Sequence, residues 1–94
     1  MHLIITFNEL SSLWDRNAIY NELFVKAQVE YIMDRYRMNG YIYSEDIYRL
    51  FGIKWNPYDE NKCWIYERDG DLKISFTSRI EGLSIIIDIT NDTT

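Results

Sequence analysis

The sequence is poor in the residues that most often carry covalent or metal chemistry. It contains one cysteine, Cys63, and one histidine, His2, among 94 residues. A single thiol cannot close an internal disulfide or form a zinc site by itself. His2 lies at the start of the chain, where it is a poor base for a Ser/His or Cys/His pair, and the acids around Asp59 and Asp69 lack calcium-loop spacing. We therefore expect no catalytic residue, no metal and no cofactor.

Proline and glycine are also scarce. Pro57 is the single proline, and the four glycines are isolated, so the sequence has no phosphate-binding glycine loop and no linker. We expect one domain over residues 1–94, with a polar tail at 91–94. No apolar run approaches the roughly 20 residues of a membrane span, and the N-terminal MHLIITF lacks the basic region of a signal peptide. We therefore expect a soluble, cytoplasmic protein that does not bind membranes.

Basic residues are outnumbered by acidic ones. Ten lysines and arginines stand against fifteen aspartates and glutamates, giving a net charge of −5. Phosphate backbones select for basic surfaces, so this balance argues against direct binding to nucleic acid or to an anionic membrane. It favours a basic protein partner, such as a nucleic-acid-binding protein, or no partner.

The most informative stretch is Asn17 to Asn39, which has the pattern of one long helix with two apolar seams. The first seam contains Tyr20, Leu23, Phe24, Ala27, Tyr31 and Met38. The second contains Ala18, Val25, Val29, Ile32, Met33 and Tyr36. One helix packed on one sheet needs a single apolar stripe, so one seam needs a further cover. Either the rest of the chain covers both seams, with the polar line Asn21, Gln28 and Arg35 bonded to loops, or one seam binds another molecule. The candidate seam for self-association is Val25, Val29, Ile32 and Tyr36.

Two shorter helices are predicted on either side of the long one. Thr6 and Glu9 have the spacing of a capping box, which predicts a short helix from Phe7 to about Trp14. Ser44, followed by two acids, predicts the start of a third helix that ends at Gly52. The segment from Lys54 to Asn61 is predicted to be loop.

The C-terminal third alternates with the period of two that is typical of strands. Asp69-Gly70 between two such runs predicts a two-residue hairpin that places Ile65 opposite Ile74. A third strand is predicted from Leu83 to Thr90, with Leu83, Ile85, Ile87 and Ile89 facing inward. The predicted fold class is therefore α+β, with N-terminal helices (short, long central and short third) packed on a C-terminal three-stranded antiparallel β-meander. Leu3 to Ile5 and Tyr41 to Tyr43 are the candidates for a strand that extends this sheet.

Aromatic residues are the positive signal for binding. The predicted register points Trp64 and Tyr66 away from the core, and Trp55 and Tyr58 lie on the preceding loop. Outward aromatics with neighbouring acids are typical of protein interfaces, since Trp and Tyr dominate binding hot spots. The candidate partner-binding set is Trp55, Tyr58, Asp59, Glu60, Trp64 and Tyr66. The alternative is that the loop or a helix covers Trp64.

Two stretches carry a resemblance to known proteins. NGYIYSEDIYRLFGI followed by CWIYERDGDLKISF resembles a pattern in small uncharacterised proteins of Firmicute phages and prophages. That resemblance implies a phage origin and a location in the host cell, and it implies no known activity. The order of helix, short strand, helix and hairpin also resembles a winged helix, although KWNPYDENK, with a proline and two acids, occupies the position of the recognition helix.

Together these observations predict a non-enzymatic, acidic interaction protein. It would bind a protein partner, for example as an inhibitor of a host nuclease or of a defence complex such as CRISPR-Cas, or it would assemble with itself. The alternative is a degenerate winged-helix regulator that acts within a nucleic-acid-binding complex.

Overall fold

The computed structural model describes residues 1–56, 58, 60–80 and 82–92. Its elements follow the chain in the order β1 (Leu3–Asn8), α1 (Ala18–Asn39), β2 (Tyr41–Tyr43), α2 (Ser44–Leu50), β3 (Cys63–Ile65), α3 (Tyr66–Asp69), β4 (Leu72–Arg79) and β5 (Ser84–Asn91). A three-stranded antiparallel sheet and a separate two-stranded sheet accompany the helices. The predicted α+β class is confirmed.

The long central helix, α1, forms where the sequence predicts it. Asn17 is the N-cap, and its side-chain oxygen accepts hydrogen bonds from the backbone N–H groups of Ile19 and Tyr20 at 3.0 and 3.2 Å. At the other end Gly40 adopts a left-handed conformation with φ of 82°, and its N–H donates to Tyr36 O at 2.8 Å. The two capping signals therefore fix the length of the helix.

The larger sheet has the strand order β1-β5-β4. β4 and β5 form an antiparallel hairpin, and β5 is the central strand. Ile85, Ile87 and Ile89 face inward and are buried, which confirms most of the predicted third strand. The same prediction is wrong for Leu83, which lies in the turn and is exposed. The three strands are not consecutive, because the N-terminal β1 occupies the edge beside β5.

The predicted short helix from Phe7 to Trp14 is wrong. Residues Leu3–Asn8 form β1, in which Ile5 lies opposite Ile87 and Phe7 lies opposite Ile85. Pairing with β5 buries both apolar side chains in the core, a gain that the local capping pattern cannot match. Asn8 then turns the chain, because its side-chain oxygen accepts a hydrogen bond from Leu10 N at 2.9 Å.

The predicted hairpin at Asp69-Gly70 is also wrong. Cys63–Ile65 pairs with Tyr41–Tyr43 instead, and the chain then enters the single turn α3. A carboxylate oxygen of Asp69 accepts a hydrogen bond from Ile65 N at 2.9 Å, so Asp69 caps this turn. The true hairpin connection lies between Arg79 and Ser84.

The third helix agrees with the prediction in place but differs in its cap. α2 covers Ser44–Leu50, and the N-cap position belongs to Tyr43, whose N–H donates to Asp46 Oδ2 at 3.3 Å. The Ser44 side chain serves the neighbouring loop, since its oxygen accepts a hydrogen bond from Lys62 N at 2.9 Å. α2 is therefore tied to the segment that leads into β3.

One core joins both sheets and the two longer helices. Its fully or nearly fully buried side chains come from β1 and β5, from the inner face of α1, from α2, and from the β2–β3 pair. Phe7 forms its aromatic centre, with ring centroids 5.1 Å from Trp14, 5.4 Å from Phe24 and 6.0 Å from Phe51.

Candidate interaction surfaces

Trp64, the centre of the predicted aromatic patch, is fully buried. It lies opposite Ile42 in the β2–β3 pair, so its side chain belongs to the core. The prediction that Trp64 faces solvent is wrong, because it depended on a hairpin register that does not form. Its neighbour Cys63 is partly exposed.

The rest of the predicted patch is distributed over different elements. Trp55 is half-buried, with its ring 5.2 Å from that of Tyr48 on α2. Tyr66 is exposed at its edge and lies 5.8 Å from the ring of Tyr36 on α1. Tyr58 and Glu60 are exposed, and Asp59 lies outside the described residues. Without Trp64 between them, the other residues do not form the surface that the sequence predicts.

The seam predicted for self-association is covered by the chain itself. Val25, Val29, Ile32 and Tyr36 are all buried in the core. That seam is therefore unavailable to a second copy in the folded protein. Two residues of the polar line bond to backbone atoms: Asn21 exchanges hydrogen bonds with the backbone of Asp15 in the preceding loop, and Gln28 Nε2 donates to Leu50 O at the end of α2.

The other seam of α1 is open to solvent. Its large side chains are 54, 62, 45 and 81 % exposed, and with Ala27 they define what we call the outer stripe: Tyr20, Leu23, Ala27, Tyr31 and Met38. Only Phe24 of this seam turns inward, toward Phe7 and Phe51. The helical periodicity predicts these residues as a seam, and no other part of the chain that the structure describes covers it.

Charges of both signs accompany the outer stripe. Lys26, Glu30 and Asp34 are exposed between or beside its apolar residues. Arg37 is held away by Asp71, with its Nε 3.0 Å from the Asp71 carboxylate. The stripe is therefore flanked by one free positive charge and two negative charges.

A cleft opens where the C-terminal half of α1 faces β2 and α2. Its volume is about 390 Å³, and it is lined by Tyr31, Arg35, Asn39, Tyr41, Ile42, Asp46, Arg49 and Leu50. The guanidinium carbon of Arg35 lies 5.9 Å from the ring centroid of Tyr31. On β2, the rings of Tyr41 and Tyr43 meet edge to face at 5.9 Å. The cleft therefore combines aromatic walls with two guanidinium groups.

A polar cluster formed by Tyr36 and residues 68–71 connects α1 to the segment that precedes β4. The Tyr36 hydroxyl donates a hydrogen bond to Gly70 O at 2.7 Å, and burial raises the pKa of Tyr36 to about 12, with the carboxylates of Asp69 and Asp71 adding to the rise. Hydrogen bonds from Arg68, 3.0 Å from both oxygens of Asp69, lower the pKa of that carboxyl group. These groups are engaged with one another and with backbone atoms, which indicates a structural role.

The single histidine lies on the outer face of the larger sheet. Its Nε2 is 2.5 Å from Asp88 Oδ1, and Ser75 lies opposite Asp88 in the β4–β5 ladder. No hydrogen bond joins the Ser75 hydroxyl to His2, so this trio lacks the contact that activates a nucleophile.

Within residues 1–56, 58, 60–80 and 82–92, no three His, Cys, Asp or Glu side chains gather as metal ligands. Over the same residues, no helix has the length and apolar character to cross a membrane.

Comparison of the chain with protein-family models, with curated proteins and with solved structures finds no match.

Proposed function

We propose that this chain is a non-enzymatic interaction protein that self-associates through the outer stripe of α1. The observation that carries the proposal is the exposure of four large side chains, Tyr20, Leu23, Tyr31 and Met38, on the face of α1 opposite the core. Clustered apolar side chains on a protein surface are typical of contact sites. Tyrosine in particular contributes a large contact area at a low cost in side-chain entropy.

The stripe is large enough for a specific contact. Side chains of this size, each about half exposed or more, leave on the order of 500 Å² of largely apolar surface per copy. Two copies would bury about 1,000 Å² in total, which is the size that a specific interface needs to reach. The contact would therefore be modest in strength and dependent on concentration.

The residue order along α1 is self-complementary in an antiparallel pairing. If the two-fold axis passes at Ala27, the small side chain allows the two helices to approach closely. Leu23 of one copy then lies opposite Tyr31 of the other, and Tyr20 lies opposite Asp34, whose carboxylate can accept a hydrogen bond from the phenol. A second copy is thus the occupant that the stripe fits best.

An acidic exterior supports a second candidate function, the binding of a basic protein. With a net charge of −5, the chain or its dimer could contact a nucleic-acid-binding protein, as an inhibitor of a host nuclease or defence complex such as CRISPR-Cas would. A phage origin belongs to this proposal and is supported by the resemblance of the sequence. Loss of DNA cleavage by a purified Cas nuclease, recovered at high salt, is the expected result. Unchanged cleavage at a large molar excess would contradict this candidate.

The winged-helix alternative receives less support. The hairpin that would form the wing is replaced by β3 and α3, and the described residues between Lys54 and Lys62 form no helix that could enter a groove. We therefore do not propose DNA recognition for this chain.

Substitution of Leu23 tests the self-association directly. A charge in the middle of the outer stripe would have to be desolvated in the dimer, so Leu23→Asp should weaken association at least tenfold in sedimentation equilibrium. Leu10→Asp is the matched control, because Leu10 is an exposed leucine in the turn after β1, away from α1. Equal association of both variants and the wild type would exclude the outer stripe as the contact.

A further inference from the structure

The cleft between α1, β2 and α2 contains an arginine whose setting differs from that of the other arginines near it. Arg37, Arg49 and Arg68 each form an ion pair, with Asp71, Glu45 and Asp69 respectively. Arg35 has no ion pair or hydrogen bond to any other described residue, and it lies over the ring of Tyr31. A guanidinium group held on an aromatic face keeps its donors available for an anion.

The position of Arg35 follows from the polar line of α1. Asn21 and Gln28, the first two members of that line, bond to the Asp15 backbone and to Leu50 O. Leu50 and Arg35 both line the cleft, and Arg35 forms no hydrogen bond to a backbone carbonyl of the described residues. Asn21 and Gln28 are therefore hydrogen-bonded within the chain, whereas Arg35 lines the cleft.

The opposite wall supplies a second guanidinium group and a further aromatic ring. Arg49 on α2 lines the cleft, and its side chain is 70 % accessible although it forms an ion pair with Glu45. Tyr41 on β2 adds a phenol ring. The one carboxylate in the lining is Asp46, which is engaged by the N–H of Tyr43. Its negative charge disfavours an anion beside the start of α2 and so favours one near Arg35.

We propose that this cleft binds a small anion that carries an aromatic ring, in which the ring packs on Tyr31 and Tyr41 while a phosphate or carboxylate group contacts Arg35 and Arg49. Two arginines suit such a group because the paired N–H donors of each guanidinium match its oxygen atoms. Tyrosine rings stack on heteroaromatic rings whatever the identity of the base. A volume of about 390 Å³ falls within the range of sites for small ligands, about 300–1,000 Å³. This inference does not rest on self-association, but Tyr31 belongs to both surfaces, so we expect dimerisation to oppose the binding of a ligand ring on Tyr31.

Adenosine monophosphate is the probe that carries both chemical features. Titration calorimetry should show saturable binding of AMP, and binding of adenosine or of inorganic phosphate alone should be at least tenfold weaker. Salt should weaken AMP binding, because the charged contacts are exposed. Absence of saturable AMP binding at millimolar concentration, or equal binding of inorganic phosphate alone, would overturn the proposal.

Variants assign the binding to the cleft. Arg35→Ala and Arg49→Ala should each weaken AMP binding about tenfold, and Arg79→Ala, at an exposed arginine that ends β4, should leave it unchanged. All three side chains are exposed, so the fold should tolerate each change. Equal AMP affinity in all three variants would show that binding occurs elsewhere. Leu23→Asp should dissociate the dimer without removing AMP binding, so the two proposals can fail separately.

Discussion

Trp64 occupies the core without a hydrogen-bond partner for its indole N–H among the described residues. An unpaired donor in an apolar setting opposes folding, while the large ring buried around it favours folding. The two effects can be separated by substitution, since phenylalanine retains an aromatic ring and removes the donor.

We expect Trp64→Ala to lower the free energy of unfolding by about 3–5 kcal/mol, the usual cost of truncating a buried tryptophan. Trp64→Phe should cost clearly less, because the smaller cavity is partly offset by removal of the unpaired N–H. Urea unfolding monitored by circular dichroism measures both changes. Tyr58→Ala, at an exposed tyrosine, is the control and should be nearly neutral. A Trp64→Ala variant as stable as this control would contradict the burial of Trp64.

Tyr36 links stability to alkaline pH. Its pKa is about 12 in the folded chain against an ordinary value of 10.0. Between these values the unfolded chain loses the phenol proton and the folded chain keeps it. The contribution of Tyr36 to stability is therefore complete below pH 10 and is lost as the pH rises toward 12.

Tyr36→Phe should remove this pH dependence. The variant should lose about 1 kcal/mol at neutral pH, because the hydrogen bond to Gly70 O disappears. Between pH 10 and 12 the wild type should lose on the order of 1–2 kcal/mol more than the variant does. Urea unfolding at a series of pH values provides the comparison, and parallel curves for the two proteins would show that the Tyr36 phenol is not shielded.

At the scale of single residues, the sequence predicts which residues belong to an apolar face more reliably than it predicts the direction of each side chain. Tyr36 was correctly predicted on an apolar seam, because the period of α1 is unambiguous. Trp64 was placed on the wrong side of its strand, since the orientation of a strand residue changes when its pairing partner changes. Nothing in the sequence near Trp64 indicates that Tyr41–Tyr43 is that partner.

Among the elements, the β4–β5 hairpin contains an unusual backbone conformation. Ile80 follows the last residue of β4 and has φ of 54°, a left-handed conformation that β-branched side chains rarely adopt. Its side chain is exposed, so little packing compensates for the strain. The hairpin therefore forms in spite of its turn residue, through the pairing of eight residues in each strand.

Replacement of Ile80 by glycine should stabilise the fold. Glycine adopts this φ freely, and Ile80→Gly should raise the free energy of unfolding by about 1 kcal/mol. The matched control is Ile4→Gly, at an exposed isoleucine in the extended backbone of β1, which should destabilise by a similar amount. Thermal unfolding of the two variants should shift in opposite directions; a decrease in both would show that the turn does not strain Ile80.

The bounds of elements with strong local end signals could be predicted, whereas strands fixed by distant pairing could be proposed only as candidates without a partner. Asn17 and Gly40 delimit α1 by hydrogen bonds within a few residues, so the sequence predicts its bounds. β1 depends on a partner more than seventy residues away, and Thr6 and Glu9 offered a helical alternative with good local chemistry. Asp69-Gly70 likewise matched a hairpin signal, but the Asp69 side chain caps α3 instead.

At the scale of the whole molecule, the elements that pack on α1 determine which face of this helix remains exposed to solvent. The sheet, α2 and the β2–β3 pair all pack on one side of the helix, and the outer stripe faces away from them. Helical periodicity predicts two apolar seams on α1 but cannot show which of them is buried, because the two seams contain similar numbers of large apolar residues. The cleft at Arg35 was not predicted, although the seven-residue line through Asn21, Gln28 and Arg35 pointed to the side on which it opens.

The most direct measurement of self-association through the outer stripe is the solution mass of the wild-type chain by light scattering at two protein concentrations. The monomer has a mass of 11.4 kDa. We expect the measured mass to approach twice this value at the higher concentration and to fall toward it on dilution, because the interface is modest in size. A mass of one chain at both concentrations, equal to that of Leu23→Asp, would contradict self-association through α1.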